Sequence, residues 1–260
     1  MERRESIEAT KLDVAVGTRV LSELGIAVGV RASLGHTSRR IPGDPEKFVV
    51  KGRGYRVDVL SRMRPEDMVV CDLEGNWLDG PPNSLQCSEV KIHSCILKTR
   101  PDVVSVTHAH PDYTVLMSVL GRAIRPMAQE GAGLVLRQIN VIPQTKIVVS
   151  EAEGMEVATQ LGDGDAVLLL GHGAVTVSSR SVEESVMRMA QLEHQARLNY
   201  MALCALGPDY PSIPAQLAAA VDSARADLEP HIAERLANLG RPPKAPGPWS
   251  YFQENVFADR

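Results

Sequence analysis

Two histidines one residue apart end a β-branched run in the segment "SVTHAHPDYTVL", residues 105–116. Alternate residues of a strand point to the same face, so the side chains of His108 and His110 are predicted to point together. Adjacent imidazoles are poor core material but good ligands for a transition-metal ion. The pair therefore indicates a metal site at the end of this strand, with two hydrogen-bonded histidines as the structural alternative.

Two histidines do not complete a catalytic metal site, because zinc sites of this kind use three protein ligands and keep one position open. His172 is the best third candidate, since it follows the apolar run "AVLLL" and stands between Gly171 and Gly173. Glycines let backbone and ligand approach closely. If the two strands are neighbours, the three imidazoles converge; a simple glycine turn is the alternative.

A carboxylate stands at the start of a predicted helix, where Glu89 follows "NSLQCS". Ser88 is the predicted N-cap of that helix. Glu89 is a candidate acid–base group, although a carboxylate there would also complement the helix dipole by up to about 1 kcal/mol. His93 shares a helix face with Glu89 and is interpreted as an interior residue rather than a partner of the site.

Short strands and helices alternate along the chain without a regular β-α-β repeat. This order predicts an α/β protein, a three-layer α/β/α sandwich with a central mixed, largely antiparallel sheet. The glycine stretches "KGRGYR" and "LGDGDA" do not match a dinucleotide-binding fingerprint. Helices are predicted at residues 7–25, 88–99, 111–120, 151–162 and 214–239, and a long one after an N-cap at Ser181. Strands are predicted in "KFVVKGRGYRV", "DMVVCDLEGN", "VVSVT", "NVIPQTKIVVS", "DAVLLL" and "AVTVS".

Composition excludes several classes of protein. A net charge of −4 lacks the basic footprint of a nucleic-acid-binding protein. The longest apolar runs fall short of the roughly 20 residues that a membrane span needs, and the charged N-terminus has no apolar signal core. We therefore expect a cytoplasmic protein with no nucleic-acid or membrane partner. In that setting its cysteines are expected to be free thiols: Cys71, Cys87, Cys95 and Cys204.

The 260 residues are expected to form a catalytic metal-binding domain over 1–210, followed by a C-terminal helix and aromatic tail over 211–260. The tail carries Trp249, Tyr251 and Phe252 close together. These rings either cover a substrate ring, in the same or a neighbouring subunit, or dock the tail onto its own domain. Tyr113, just past the histidine pair, is a second candidate for a substrate-pocket wall.

The sequence resembles the class II aldolase/adducin family over residues 8–206. The resemblance lies in "SLGHTSRRI", in "SEVKIHSCILKTRPDVVSVTHAHPDYTVLMSVLG" and in "LLLGHGAVTVSSRSVEESVMRMAQLEHQA". It implies one divalent ion per subunit held by His108, His110 and His172, with Glu89 as the acid–base carboxylate. It also implies a homotetramer with active sites near subunit boundaries. Zinc is the first expectation for the ion, and manganese, cobalt or iron are alternatives, since imidazoles accept them all.

The sequence departs from the sugar-phosphate aldolases of that family, which carry Gly-Asn, Thr-Gly and Ser-Ser in the substrate loops. Here these positions hold Gly35-His36, "KGRG" from Lys51, and Cys87-Ser88. A phosphate cradle needs small hydroxyl residues and free backbone N–H groups, whereas cations such as Lys51 and Arg53 suit a carboxylate. A solvated basic loop is the alternative reading of these cations.

With His36 in the first loop, the chain is similar to the decarboxylase branch of the family, which acts on hydroxylated aromatic or pyridine carboxylic acids. We therefore expect a metal-dependent lyase of aromatic catabolism whose small carboxylate substrate binds at His36, Lys51, Arg53, Ser88 and Tyr113. An aldolase, or a sugar-phosphate dehydratase or epimerase, is the enzymatic alternative. A scaffold resembling adducin, without metal, is the alternative outside enzymes. The sequence contains no HExxH motif, so it gives no support to a zinc hydrolase.

Overall fold

The computed structural model describes residues 2–241 and 247–257, except for the side chains of residues 2–5, 222 and 225. The proline-rich stretch 242–246 and the last residues, 258–260, of the predicted C-terminal tail lie outside this description. The helices of the described residues are α1 (Glu2–Glu23), α2 (Val90–Thr99), α3 (Asp112–Val119), α4 (Glu151–Leu161), α5 (Val182–Leu206), α6 (Ala215–Asn238) and α7 (Pro248–Asn255).

A single mixed sheet runs through the centre of the molecule. Its strands are β1 (His36–Ile41), β2 (Asp44–Arg53), β3 (Met68–Asp72), β4 (Trp77–Asp79), β5 (Leu85–Gln86), β6 (Ser105–Ala109), β7 (Val141–Ile142), β8 (Ala166–Leu169) and β9 (Gly173–Ser178). The order is β4-β3-β2-β1-β6-β9-β8-β7, with β5 paired to β2. The pair β7–β8 is parallel and the other described pairs are antiparallel. This confirms the predicted mixed, largely antiparallel sheet.

Helices cover both faces of the sheet and enclose two apolar cores. In β2, Phe48 and Val50 point into the core beneath α2 and α4, whereas Val49 points into the core beneath α1 and α5. Such alternation is what a strand buried on both faces requires. The predicted three-layer sandwich is therefore confirmed. Within the described residues, no helix combines the length and the apolar character needed to cross a membrane.

The segment "NVIPQTKIVVS" differs from its prediction, because only Val141–Ile142 forms a strand. Pro143 lacks the N–H that would continue the ladder, and Val148 donates its N–H to the side chain of Glu89 instead. The rest of this segment is a loop that reaches the candidate site.

The aromatic tail docks onto its own domain. Trp249 is buried in the core beneath α1 and α5, and Phe252 packs against that core, whereas Tyr251 is exposed. The predicted free thiols are confirmed, and Cys71, Cys87 and Cys95 are buried. The predicted N-cap at Ser181 is confirmed, since its hydroxyl accepts the Glu184 N–H.

Candidate metal centre and active site

Three histidines converge at one end of the central strands. His108 lies in β6, His110 follows the end of that strand, and His172 lies in the turn between β8 and β9. Because β9 pairs with β6, this turn is brought beside the histidine pair. The ring centroids of the three imidazoles are 4.7–5.1 Å apart. The structure thus brings together the three predicted metal ligands.

Gly173 makes this approach of the three segments feasible. A Cβ atom there would lie 2.5 Å from the Ala109 carbonyl oxygen and 3.1 Å from both the His108 and His110 rings. Contacts of this kind are too short for a real side chain. The histidine cluster therefore needs a glycine after His172 in order to pack. The segment "GHG" is more than the simple glycine turn that was the alternative.

Glu89 faces the same cluster from the start of α2. Its Oε2 lies 3.3 Å from His108 Nε2, and its Oε1 lies 3.5 Å from His172 Nε2. The Val148 N–H donates to Oε1 at 3.0 Å. The predicted N-cap at Ser88 is wrong, because Glu89 itself occupies the N-cap position without capping the helix through its side chain. Its carboxylate points to the histidines instead.

The donor set fits a divalent transition-metal ion. One ligand atom from each of Glu89, His108, His110 and His172 lies within 4.8 Å of all the others. Nδ1 of His108 donates to the Ala174 carbonyl at 3.0 Å, which turns its Nε2 toward His110 Nε2 at 3.0 Å. Anchoring the second ring nitrogen in this way is typical of metal-bound histidines. The buried Nδ1 of His172 has no hydrogen-bond partner among the described residues.

The surroundings keep two members of this cluster, His110 and Glu89, in the ionisation state that a metal needs. Burial, together with the neighbouring His108 and His172, lowers the pKa of His110 to about 2, so its ring is neutral near pH 7. Burial would raise the pKa of Glu89, but electrostatic attraction to His108 and hydrogen bonds with His108, His172 and His36 outweigh it. The net pKa is well below its ordinary value, and Glu89 is a carboxylate. Neutral imidazoles and a carboxylate are the metal-binding forms of these side chains.

His36 adjoins both Glu89 and the metal cluster, since its ring centroid lies 5.1 Å from that of His108. It stands directly opposite His108 in the β1–β6 ladder, and its Nε2 lies 3.8 Å from Glu89 Oε2. Burial lowers its pKa to about 4, so the ring is neutral. Its Nδ1 lies 2.6 Å from His93 Nε2. His93 is buried, as the interior interpretation expects, but it also contacts His36, a predicted site residue.

The predicted cations differ in their surroundings. Lys51 is 1% exposed and pairs with Asp58, so the solvated-loop reading does not hold for it. The more exposed Arg53 also pairs with Asp58, at 3.3 Å, and donates to Ser88 Oγ at 2.8 Å. Lys51 lies close enough to His36 to lower the pKa of that ring. Asp58, which the sequence analysis did not single out, holds both cations.

Tyr113 lies at the interface of α3 and α5, where its ring centroid is 5.7 Å from that of Tyr200. Its role as a pocket wall stays a prediction. The same interface fixes the segment after His110, because the Glu193 carboxylate accepts the N–H groups of Tyr113 and Thr114 at 2.9 Å each. No spacing in the sequence signals this contact, because Glu193 is about 80 residues away in the chain.

Arg31, from the N-terminal part of the chain, fixes the backbone at the end of the histidine pair. Arg31 donates to the His110 carbonyl at 2.8 Å and to the Asp112 carboxylate at 2.8 Å. Arg31 thus fixes the backbone of His110 where β6 ends and α3 begins. It is a second contact across a long stretch of chain that the sequence analysis missed.

Comparison with known proteins places these features in context. A sequence profile described as "Class II Aldolase and Adducin N-terminal domain" matches residues 14–200. A 3,4-dihydroxyphthalate decarboxylase from Terrabacter sp. (strain DBF63) is 32% identical, over 86% of this chain and 92% of its own. A protein of the same name from Arthrobacter keyseri is 32% identical, over 75% of this chain and 79% of its own.

Solved structures share the fold. An aldolase II superfamily protein from Pseudomonas syringae superposes with a TM-score of 0.72 at 21% identity, covering 84% of each chain. An L-fuculose 1-phosphate aldolase from Glaciozyma antarctica PI12 superposes with a TM-score of 0.67 at 22% identity, covering 85% of this chain and 81% of its own. At these identities the likeness concerns the fold alone.

Proposed function

This chain belongs to the class II aldolase and adducin family, and on that basis we propose that it is a divalent-metal-dependent carboxy-lyase. Its proposed substrate is a hydroxylated aromatic carboxylic acid, of the type named in its decarboxylase relatives. The observation that carries the proposal is the convergence of Glu89 with three imidazoles in one buried cluster. A scaffold protein has no need of such a cluster, whose burial is costly unless something binds there.

The three imidazoles of His108, His110 and His172 would hold the ion, one per chain, with zinc as the first expectation. Such an ion supplies positive charge that stabilises the negative charge left on the substrate when a carbon–carbon bond breaks. The described ligand atoms suit manganese, cobalt or iron as well, since affinity alone does not choose among these metals.

Glu89 is the proposed proton carrier. It is a carboxylate before the reaction, so it can accept the proton of a substrate hydroxyl group and deliver it to the ring carbon that bears the departing carboxylate. The carbon–carbon bond then breaks, carbon dioxide leaves, and its bonding electrons restore the aromatic ring. Acid–base help of this kind contributes a factor on the order of 10²–10⁴ in rate.

We assign the substrate carboxylates to the side of the site that carries His36, Lys51 and Arg53. His36 offers a neutral ring beside Glu89, and Lys51 and Arg53 offer positive charge from β2. Asp58 orients both cations, and Ser88 accepts a hydrogen bond from Arg53. Charge-assisted hydrogen bonds to a carboxylate are among the stronger polar contacts, so these residues favour an acid over a neutral sugar.

The remaining organisation is proposed from the same resemblance. Residues 1–210 carry the catalytic domain, and 211–260 form the C-terminal appendage, whose helix α6 is largely exposed. Exposed apolar side chains on that helix, such as Leu217 and Leu228, suit burial in a homotetramer. We place the protein in the cytoplasm, in the breakdown of aromatic acids.

The deciding experiment offers two substrates to the protein loaded with zinc or manganese. We expect carbon dioxide and a dihydroxybenzoate from 3,4-dihydroxyphthalate, and no turnover of L-fuculose 1-phosphate. Turnover of the sugar phosphate alone would replace the proposal with the aldolase alternative. A protein that binds no stoichiometric metal and turns over neither compound would instead be a scaffold.

A further inference from the structure

A line of three buried polar side chains leads from β1 to Glu89. Ser38 Oγ lies 2.7 Å from His93 Nδ1, and His93 Nε2 lies 2.6 Å from His36 Nδ1. His36 Nε2 then faces Glu89 Oε2 at 3.8 Å. All four side chains are buried. We name this line the Ser38–His93–His36 relay.

The carboxylate at the end of the relay sets the direction of its hydrogen bonds. At 3.8 Å the Glu89 carboxylate is too far from His36 Nε2 for a direct hydrogen bond, but its negative charge favours an N–H there, which leaves a lone pair on Nδ1. That lone pair accepts from Nε2–H of His93, whose Nδ1 then accepts from the Ser38 hydroxyl. The opposite direction would place a lone pair of His36 against the negative charge of Glu89.

From this geometry we propose that His93 is a positioning residue which, with Ser38, fixes His36 as a hydrogen-bond donor at Nε2. The donor faces Glu89 and is available to a substrate carboxylate; this last part rests on the proposed function. His93 and Glu89 belong to the same helix start, one turn apart. The helix α2 therefore places both the proton carrier and the residue that sets the tautomer of His36.

Packing keeps the His93 ring in the orientation that the relay requires. The ring is fully buried and lies nearly parallel to Phe48, with 18° between the planes and 6.5 Å between the centroids. Because Ser38 and His36 are alternate residues of β1, they point to the same face and meet the ring on two sides. The sheet register and the helix thus hold the relay together.

A second metal ion is the competing explanation, because ligand atoms of His36, Cys87 and His93 also lie within 4.8 Å of one another. Two nitrogens bound to one ion at about 2.0–2.1 Å stand at least about 2.9 Å apart. The two ring nitrogens of His36 and His93 are closer, at 2.6 Å. That distance is one of a shared proton, and it favours the relay.

The first test observes the tautomer directly in the full-length, zinc-loaded protein. Histidine labelled with ¹⁵N gives ring signals that identify the protonated nitrogen, and the chain has seven histidines to assign by single substitutions. We expect His36 to carry its proton on Nε2 in the wild type. In Ser38→Ala and His93→Leu variants, we expect a mixture of both tautomers at His36. A wild-type His36 protonated at Nδ1 would overturn the relay.

The second test measures KM and kcat for 3,4-dihydroxyphthalate, the substrate used to test the proposed function. His93→Leu is expected to raise KM by about tenfold with a smaller change in kcat, because a hydrogen bond to a charged group loses its preset donor. His93→Gln retains an N–H donor and should restore part of the loss. Thr37→Val is the matched control, since it removes a buried hydroxyl on the opposite face of β1, and its KM should not change.

Two further outcomes decide the matter. Two metal ions per chain, one of them lost in His93→Leu, would replace the relay with a second metal site. A His93→Leu variant with unchanged KM and unchanged His36 tautomer would remove His93 from any positioning role. The NMR measurement needs no turnover, so it tests the relay even if the proposed reaction fails.

Discussion

The two faces of strand β6 bury polar groups in opposite ways. On one face, the Ser105 and Thr107 hydroxyls lie 2.8 and 2.9 Å from Ser185 Oγ, and Thr107 also contacts Thr37 at 2.9 Å. These hydroxyls satisfy one another within the protein. On the other face, His108 Nε2 points at another imidazole and at Glu89. Buried polarity alone does not mark a site; polarity directed at a shared point does.

The largest effect should come from removing a ligand on the histidine face. His108→Ala and His172→Ala are expected to abolish activity and to weaken metal binding by more than about 100-fold, the upper range for outer partners of a metal site. Metal content by mass spectrometry and carbon dioxide release measure both. Stoichiometric metal in His108→Ala would exclude that residue from the ligand set.

The next effect separates the proposed proton carrier, Glu89, from the proposed metal ligands. Glu89→Gln should keep the metal but lose on the order of 10²–10⁴ in turnover, because the amide cannot accept and return a proton. Metal content and kcat measured on the same preparation provide the check. Full activity in this variant would show that Glu89 takes no part in the reaction.

Removal of the metal should affect stability as well as activity. A ligand present at 100 times its Kd stabilises the folded state by about 2.7 kcal/mol, so a chelator should lower Tm and abolish turnover. Added zinc or manganese should restore both. An unchanged Tm with an unchanged metal content after exhaustive chelation would mean that the histidine face binds no exchangeable ion.

The smallest effect should come from the hydroxyl face. Ser185→Ala leaves the Ser105 and Thr107 hydroxyls short of a partner, which should cost about 1–3 kcal/mol of folding free energy. Denaturant unfolding measures the loss, while metal content and activity per folded molecule should not change. A large loss of activity without a loss of stability would contradict the division between the two faces.

The sequence was sufficient to predict the pairing of His108 with His110, because that logic is local, whereas the convergence of His172 depended on two strands being neighbours and was implied by the family resemblance. The two-residue period of a strand aligns His108 with His110, and flanking glycines point to close approach at His172. The N-cap was misplaced by one residue, since helix start signals at Ser88 and Glu89 compete within a single turn. With the N-cap placed at Ser88, Glu89 lies inside the first turn of the helix, and this placement gives no reason for its carboxylate to face the histidines.

Residues that act across the fold were not predictable in this way. The contact of His93 with His36 depends on the rotation of α2 above β1, and Glu193 meets its partners across about 80 residues of chain. Asp58 lies only seven and five residues from Lys51 and Arg53, but no helix or strand spacing pairs it with them. The strand predicted in "NVIPQTKIVVS" is shorter than expected for a related reason. Pro143 has no N–H to donate to the sheet, and the N–H of Val148 donates to Glu89 instead. Tertiary packing, which no sequence period encodes, decides each of these cases.

Strand β6 is hydrogen-bonded on both sides, to β1 and to β9, whereas β4 lies at the end of the sheet. Amide protons of Val106 and His108 should therefore exchange with deuterium only as fast as the whole domain opens, while those of β4 exchange through local fraying. A mild rise in temperature would loosen the rim of the molecule first. Heat inactivation should then coincide with global melting rather than precede it.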